Sequence, residues 1–115
     1  MAAQTILIVD DSSETVRALR VFLEDAGFRI LSAFDGTSGL QLIRADHPDL
    51  IILDLMLPDH NGLDITRQLR ADSALKSIPI IMLTARVDDT DKIVGLEVGA
   101  DDYITKPYNP REVAA

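Results

Sequence analysis

Asp10-Asp11, Asp54, Thr84 and Lys106 are the residues of this chain whose types and spacing could do chemistry together. Each ends a short run: Ile6-Leu7-Ile8-Val9 before Asp10, Leu50-Ile51-Ile52-Leu53 before Asp54, Ile80-Ile81-Met82-Leu83 before Thr84, and Tyr103-Ile104-Thr105 before Lys106. Three carboxylates brought into one crevice repel one another, and a hard cation removes that conflict. Oxygen donors without His or Cys favour Mg²⁺, Ca²⁺ or Mn²⁺ over zinc. With so few protein ligands Mg²⁺ is the natural occupant, because it keeps several waters and shares its coordination with phosphate oxygens. A carboxylate beside such a cation can act as a nucleophile toward phosphorus and become an aspartyl phosphate. The transferring group carries charge on its equatorial oxygens, so Lys106 is suited to neutralise one of them and Thr84 to hydrogen-bond another.

The rest of the chain must bring these residues to one place. An aliphatic run bounded by turn signals reads as a strand buried on both faces, the kind found in parallel sheets. Between the strands, Ser12-Ser13 caps a helix predicted to run to about Ala26, where Gly27 stops it. Its inward stripe is predicted as Val16, Leu19, Phe22, Leu23 and Ala26, with Arg17, Arg20 and Asp25 facing water. A strand follows over Phe28 to Ala33, then a helix over Thr37 to Ala45 with Leu40 and Ile43 inward, ended by His47-Pro48. Leu50 to Asp54 is the most apolar strand and is placed at the centre. Asn61 caps a third helix bearing Ile65 and Leu69 on one face, and Pro79 opens the fourth strand. Asp91 to Val98 reads as a fourth helix closed by Gly99, Asp102 to Thr105 as a fifth strand, and Pro110 as the start of a last helix. Strands alternating with helices make βαβ units with right-handed crossovers. The predicted fold class is therefore α/β: a doubly wound, flavodoxin-like, five-stranded parallel sheet of order 2-1-3-4-5. Its switch point lies between the first and third strands, at whose ends Asp10, Asp11 and Asp54 stand.

Composition narrows the function classes. The 115 residues read as one domain, large enough to bury roughly two-thirds of the surface its unfolded form exposes. An apolar fraction of 47% with 4% aromatics and no Trp calls for a core of Leu, Ile, Val and Ala. The net charge of −8 argues against gripping nucleic acid or an anionic membrane. With no Cys, disulfides and thiolate zinc sites are excluded, and a cytoplasmic location is expected. The N-terminal apolar run is too short for a signal peptide, and no apolar stretch is long enough to span a bilayer. Taken singly, the polar residues have ordinary readings: a solvated helix cap for Asp10-Asp11, a turn residue for Asp54, a cap for Thr84 and a surface charge for Lys106. Their coincidence at four strand ends favours a phosphoryl site.

On these residues the chain resembles a response-regulator receiver domain of bacterial two-component signalling, over nearly its whole length. The matching segments are Ile8-Val9-Asp10-Asp11, Asp54-Leu55-Met56-Leu57-Pro58 with Gly62, Leu83-Thr84-Ala85, and Gly99-Ala100-Asp101-Asp102-Tyr103-Ile104-Thr105-Lys106-Pro107. The resemblance implies that Asp54 is the phosphoacceptor, served by a histidine kinase or phosphotransfer protein. It implies that Asp11, Asp54 and the backbone carbonyl of Met56 bind Mg²⁺ directly, with Asp10 acting through water. Thr84 and Lys106 would contact the phosphoryl oxygens, the Lys106-Pro107 bond would be cis, and Tyr103 would be the switch aromatic coupled to Thr84. The protein would then catalyse only its own phosphorylation and dephosphorylation. The Gly99-to-Pro107 segment is similar to that of regulators driving a winged-helix DNA-binding domain, so an output domain in a longer protein is expected.

Two departures stand out. Asp59-His60-Asn61 replaces the small and apolar residues usual in the family before Gly62; His60 is read as an exposed loop residue, and His47 as a helix-end residue. The family's last helix normally continues beyond Arg111-Glu112-Val113-Ala114-Ala115, so this one reads as truncated. In relatives the fourth helix, fifth strand and fifth helix form a dimer face, to which Asp101-Asp102, Lys92 and Glu112 would contribute. The expectation is a monomer that associates weakly when phosphorylated. Two other classes are alternatives: a degenerate receiver acting as an unphosphorylated interaction module, and a small Mg²⁺-dependent phosphohydrolase. The complete polar set counts against the first. The second needs a further acid as proton donor and a substrate cap, which nothing here supplies.

Overall fold

The computed structural model of the chain describes residues 4–84 and 101–105. Within them strand and helix alternate: β1 (Thr5–Val9), α1 (Ser13–Asp25), β2 (Arg29–Ala33), α2 (Gly36–Asp46), β3 (Leu50–Asp54), α3 (Gly62–Ala71), β4 (Ile80–Thr84) and β5 (Asp102–Thr105). The strands form one parallel sheet in the order β2-β1-β3-β4-β5, as predicted. β3 lies at its middle. Val9 of β1 is in register with Leu53 of β3, so the residues that follow each, Asp10 and Asp54, leave the sheet side by side. β4 and β5 end in register too, Thr84 opposite Thr105. The predicted fourth helix with its closing Gly99, the residues Lys92, Lys106 and Glu112, the Lys106-Pro107 bond and the helix from Pro110 lie outside the described residues.

Alternation along the buried strands divides the core in two. Leu7 and Val9, Ile51 and Leu53, and Ile80 and Met82 share one face with Leu40 and Ile43 of α2 and Ile65 and Leu69 of α3. Ile6, Ile8, Ile52 and Leu83 share the other with Val16 of α1. Each such aliphatic side chain is worth about 1.5–3 kcal/mol when fully buried. These two faces are what hold the strand ends at fixed spacing.

The helix boundaries follow their caps. Ser12 Oγ accepts from the Thr15 N–H at 3.3 Å, and just past the end of α1 stands Gly27, whose φ of +98° suits glycine. His47 closes α2 in the left-handed region, φ 48°, and Asn61 Oδ1 accepts from the Leu63 N–H at 2.8 Å to start α3. Part of the predicted α1 stripe is corrected. Val16 is buried and Leu19 and Leu23 pack against it, but Phe22 is 73% exposed and Ala26 is exposed. At about 100° per residue Phe22 lies roughly 120° around the helix from Val16, whereas Arg20 lies only about 40° away. Arg20 is accordingly half-buried: it donates to Ser32 Oγ at 3.2 Å, while its side chain stays 42% exposed beside Glu24.

The amino edge of the sheet is tied by polar contacts. The Thr5 N–H donates to Asp49 Oδ2 at 2.7 Å. Arg70, at the end of α3, donates to the carbonyls of Lys76 and Ile78 and to Asp101 Oδ2, each at 2.8 Å. The same Asp101 oxygen accepts from the Ile80 N–H at 2.8 Å. The Asp101 carboxylate is thus engaged within the chain, joining α3 to the starts of β4 and β5, while its side chain stays 57% exposed.

Candidate functional site

The crevice at the carboxyl edge, between the ends of β1 and β3, is where the order of the strands reverses. Asp10 is fully buried and Asp54 nearly so, while Asp11 is exposed at the rim. One carboxylate oxygen from each lies within 4.8 Å of the others. Asp10 Oδ1 accepts the Ser12 N–H at 2.9 Å, which aims its carboxylate as the chain turns into α1. Asp54 Oδ1 accepts the Met56 N–H at 3.2 Å, which fixes the rotation of that carboxylate. Three acids so close together, all oxygen donors, fit a hard divalent cation that keeps part of its water.

The loop after Asp54 is closed by its own backbone. Met56 pairs with Asn61 as an antiparallel bridge. The bonds making this bridge flank it: Gly62 N–H to the Leu55 carbonyl at 2.8 Å and Leu57 N–H to the His60 carbonyl at 3.2 Å. Neither uses the Met56 carbonyl, as expected of a non-hydrogen-bonded pair. Gly62 lets the loop close this tightly, since a Cβ there would come 2.5 Å from the Asp54 carbonyl oxygen. Behind it, buried Thr66 donates its hydroxyl to the Gly62 carbonyl at 2.9 Å.

Of the other predicted site residues, Thr84 is the last residue of β4 and Tyr103 lies in β5 in register with Met82. Lys106, and with it the contact expected with a phosphoryl oxygen, lies outside the described residues. Asp59 and His60 hold a place that sequence reasoning missed. Asp59 Oδ1 accepts the Gly36 N–H at 2.7 Å, and Oδ2 accepts the Thr37 N–H at 3.0 Å and its hydroxyl at 2.8 Å. The Gly36 N–H above all, with those of Thr37 behind it, holds the Asp59 carboxyl at about 2 against its ordinary 3.8. His60 is half-buried, its ring against Gly36, rather than simply exposed. The contact spans 22 and 23 residues, so no local pattern announces it.

A parallel α/β sheet with an acidic, cation-fitting crevice at its switch point defines a site for handling phosphoryl groups. The family model of the response regulator receiver domain matches residues 6–115, and the chain belongs to that family, whose members are phosphorylated on an aspartate in two-component signalling. It is 49% identical to the DNA-binding response regulator MtrA of Mycobacterium tuberculosis, over 97% of this chain and 48% of that protein. It is also 49% identical to the phosphate regulon transcriptional regulatory protein PhoB of Pseudomonas aeruginosa, over 100% of this chain and 50% of that protein. The chain thus spans about half the length of the curated relatives it matches. A putative response regulator from Chloroflexus aurantiacus has the same fold with a TM-score of 0.88 at 38% identity, covering 98% of this chain and 93% of that one. A chemotaxis response regulator of Vibrio cholerae gives 0.87 at 32% identity, covering 98% and 94%. Among the described residues no helix is long and apolar enough to cross a membrane.

Proposed function

We propose that Asp54 is the phosphoacceptor of this receiver, and that Asp11, Asp54 and the Met56 carbonyl hold Mg²⁺ directly, with Asp10 acting through water. The observation that carries this is the meeting of the three carboxylates within 4.8 Å at the switch point. When bound, Mg²⁺ supplies positive charge to the phosphoryl oxygens. A carboxylate oxygen of Asp54 attacks the phosphorus of a phosphohistidine. The new O–P bond forms as the P–N bond breaks, and the leaving imidazole takes up a proton. The Met56 N–H holds the Asp54 carboxylate in one orientation for that attack. Lys106 and Thr84 read the phosphoryl oxygens, and Tyr103 responds to Thr84 as the switch.

The donor is a histidine kinase or a phosphotransfer protein, and the domain's own catalysis is limited to gaining and losing this phosphate. The named relatives are DNA-binding and transcriptional regulators; by analogy the switch controls a DNA-binding output domain in the cytoplasm. Incubation with acetyl phosphate and Mg²⁺, followed by intact mass, tests the reading. A single phosphate adduct is expected. Turnover of acetyl phosphate without an adduct would identify a hydrolase instead, and no reaction at all a degenerate receiver.

A further inference from the structure

The loop Leu55–Asn61, which carries the Met56 carbonyl, is fastened to the rest of the molecule at its outer end by Asp59. The first N–H groups of a helix have no partner within it. In α2 the N-cap Asp35 takes the Ser38 N–H, at 2.7 Å. Those of Gly36 and Thr37 go to Asp59, together with the Thr37 hydroxyl. His60 adds a steric contact. Its ring lies so close to Gly36 that a Cβ there would come 2.5 Å from His60 Cδ2.

Both ends of this clasp lead to the phosphoryl site. On the loop side, the His60 carbonyl receives the Leu57 N–H, and Met56 faces Asn61 across the bridge. On the helix side, the first turn of α2 packs directly on β1: a Cβ at Gly39 would come 2.9 Å from Val9 Cγ1. Val9 immediately precedes Asp10-Asp11. Asp59 therefore refers the loop to the strand that carries two of the site's three acids.

We propose that Asp59 is a positioning residue: by clasping the loop to the first turn of α2 it fixes the Met56 carbonyl relative to Asp10, Asp11 and Asp54, and so sets the affinity of the site for Mg²⁺. The inference rests on the reading of the site given above. Without Asp59 the loop keeps its own ladder, the Asn61 cap and the His60 contact, but loses its charged tie to α2. A carbonyl that samples several positions must be ordered on binding, which weakens the metal. Both carboxylate oxygens are used, so Asn, with one acceptor oxygen, replaces Asp only in part.

The test is an Mg²⁺ titration followed by backbone amide shifts, with metal-free melting recorded alongside, for the parent, Asp59→Ala, Asp59→Asn and Asp35→Ala. Asp59→Ala is expected to bind Mg²⁺ up to about tenfold more weakly, the lower end of the range for groups that orient a metal ligand. Its metal-free shift changes should extend from the loop tip to Met56 and Leu57. Asp59→Asn should fall between it and the parent. Asp35→Ala loosens the same helix end without touching the loop, and should lower the melting temperature while leaving Mg²⁺ affinity at the parent value. Parent-like affinity in Asp59→Ala overturns the inference and leaves the site reading intact; so does an equal loss of affinity in Asp35→Ala. Should Asp59→Ala fail to fold, Thr37→Val is expected to weaken Mg²⁺ by a smaller factor and Thr37→Ser to restore it; unchanged affinity in Thr37→Val then overturns the inference. A parent that binds no Mg²⁺ overturns the site reading itself and this inference with it.

Discussion

Two groups of carboxylates stand on the carboxyl edge of the sheet and are held in opposite ways. Asp10, Asp11 and Asp54 face one another across the β1–β3 crevice, with an oxygen from each within 4.8 Å of the rest. Asp35 and Asp59 face the first turn of α2 and take its N–H groups at 2.7–3.0 Å. Acids turned toward N–H groups and the positive end of a helix are stabilising as they stand. Asp10 and Asp54 also take one backbone N–H each, but the crowding of the three acids is relieved only when a cation joins them. The same residue type thus builds a scaffold in one place and a cluster that could hold a metal in the other.

The contrast is broken most sharply by making the same change on both sides. Asp54→Asn is expected to abolish the phosphate adduct, because an amide is neither the nucleophile nor an anionic ligand. Asp59→Asn should retain it, formed at most about tenfold more slowly. Intact mass after acetyl phosphate reads both, and an undiminished adduct on Asp54→Asn would sink the assignment of the phosphoacceptor. Within the crevice, Asp11→Ala should weaken Mg²⁺ more than Asp10→Ala, as a direct ligand against one acting through water. Calorimetric titrations giving the reverse order would exchange those roles.

Stability without metal should separate the groups by sign. Removing one crevice acid, as in Asp11→Ala or Asp54→Ala, relieves repulsion and should raise the metal-free melting temperature. Removing a helix-facing acid should lower it, for the N-cap Asp35 by about 1 kcal/mol, a few degrees in a chain of this length. A fall for both crevice variants would mean that the contacts holding those acids outweigh their mutual repulsion. The smallest effect concerns pH. Asp59 has a folded pKa of about 2, depressed from 3.8, so its contribution is fully present above pH 3.8 and is lost as pH falls through about 2. Urea unfolding of the parent and Asp59→Ala should show a constant gap from neutral pH down to 3.8 and a gap that narrows from there to about 2. A gap that closes near neutrality would place the linkage on another group.

How far the sequence reveals this arrangement depends on the range of each interaction. The strands are legible because Ile6 to Val9, Leu50 to Leu53 and Ile80 to Leu83 must be buried on both faces. The sheet order follows because Asp10 and Asp54 are chemically useful only at a switch point. Caps at Ser12 and Asn61 act within three residues and are equally readable. Phe22 was misplaced because apolar character alone does not put a side chain in the buried stripe; its angle from Val16 does. The contacts of Asp59 and Asp101 are illegible for a different reason. Their partners, Gly36 and Thr37 in one case and Arg70 in the other, lie 22 to 31 residues away, and only the folded sheet brings them together.

The central claim is that the crevice acids are kept together for a divalent cation while the helix-facing acids are not. Melting temperature across an Mg²⁺ titration tests it most directly, with the parent, Asp11→Ala and Asp59→Ala side by side. At about 100 times its Kd a ligand binding only the folded state adds about 2.7 kcal/mol. The parent is predicted to rise to that extent, Asp59→Ala to follow it at higher Mg²⁺, and Asp11→Ala to stay nearly flat. An Asp11→Ala variant that rises as steeply as the parent would contradict the account.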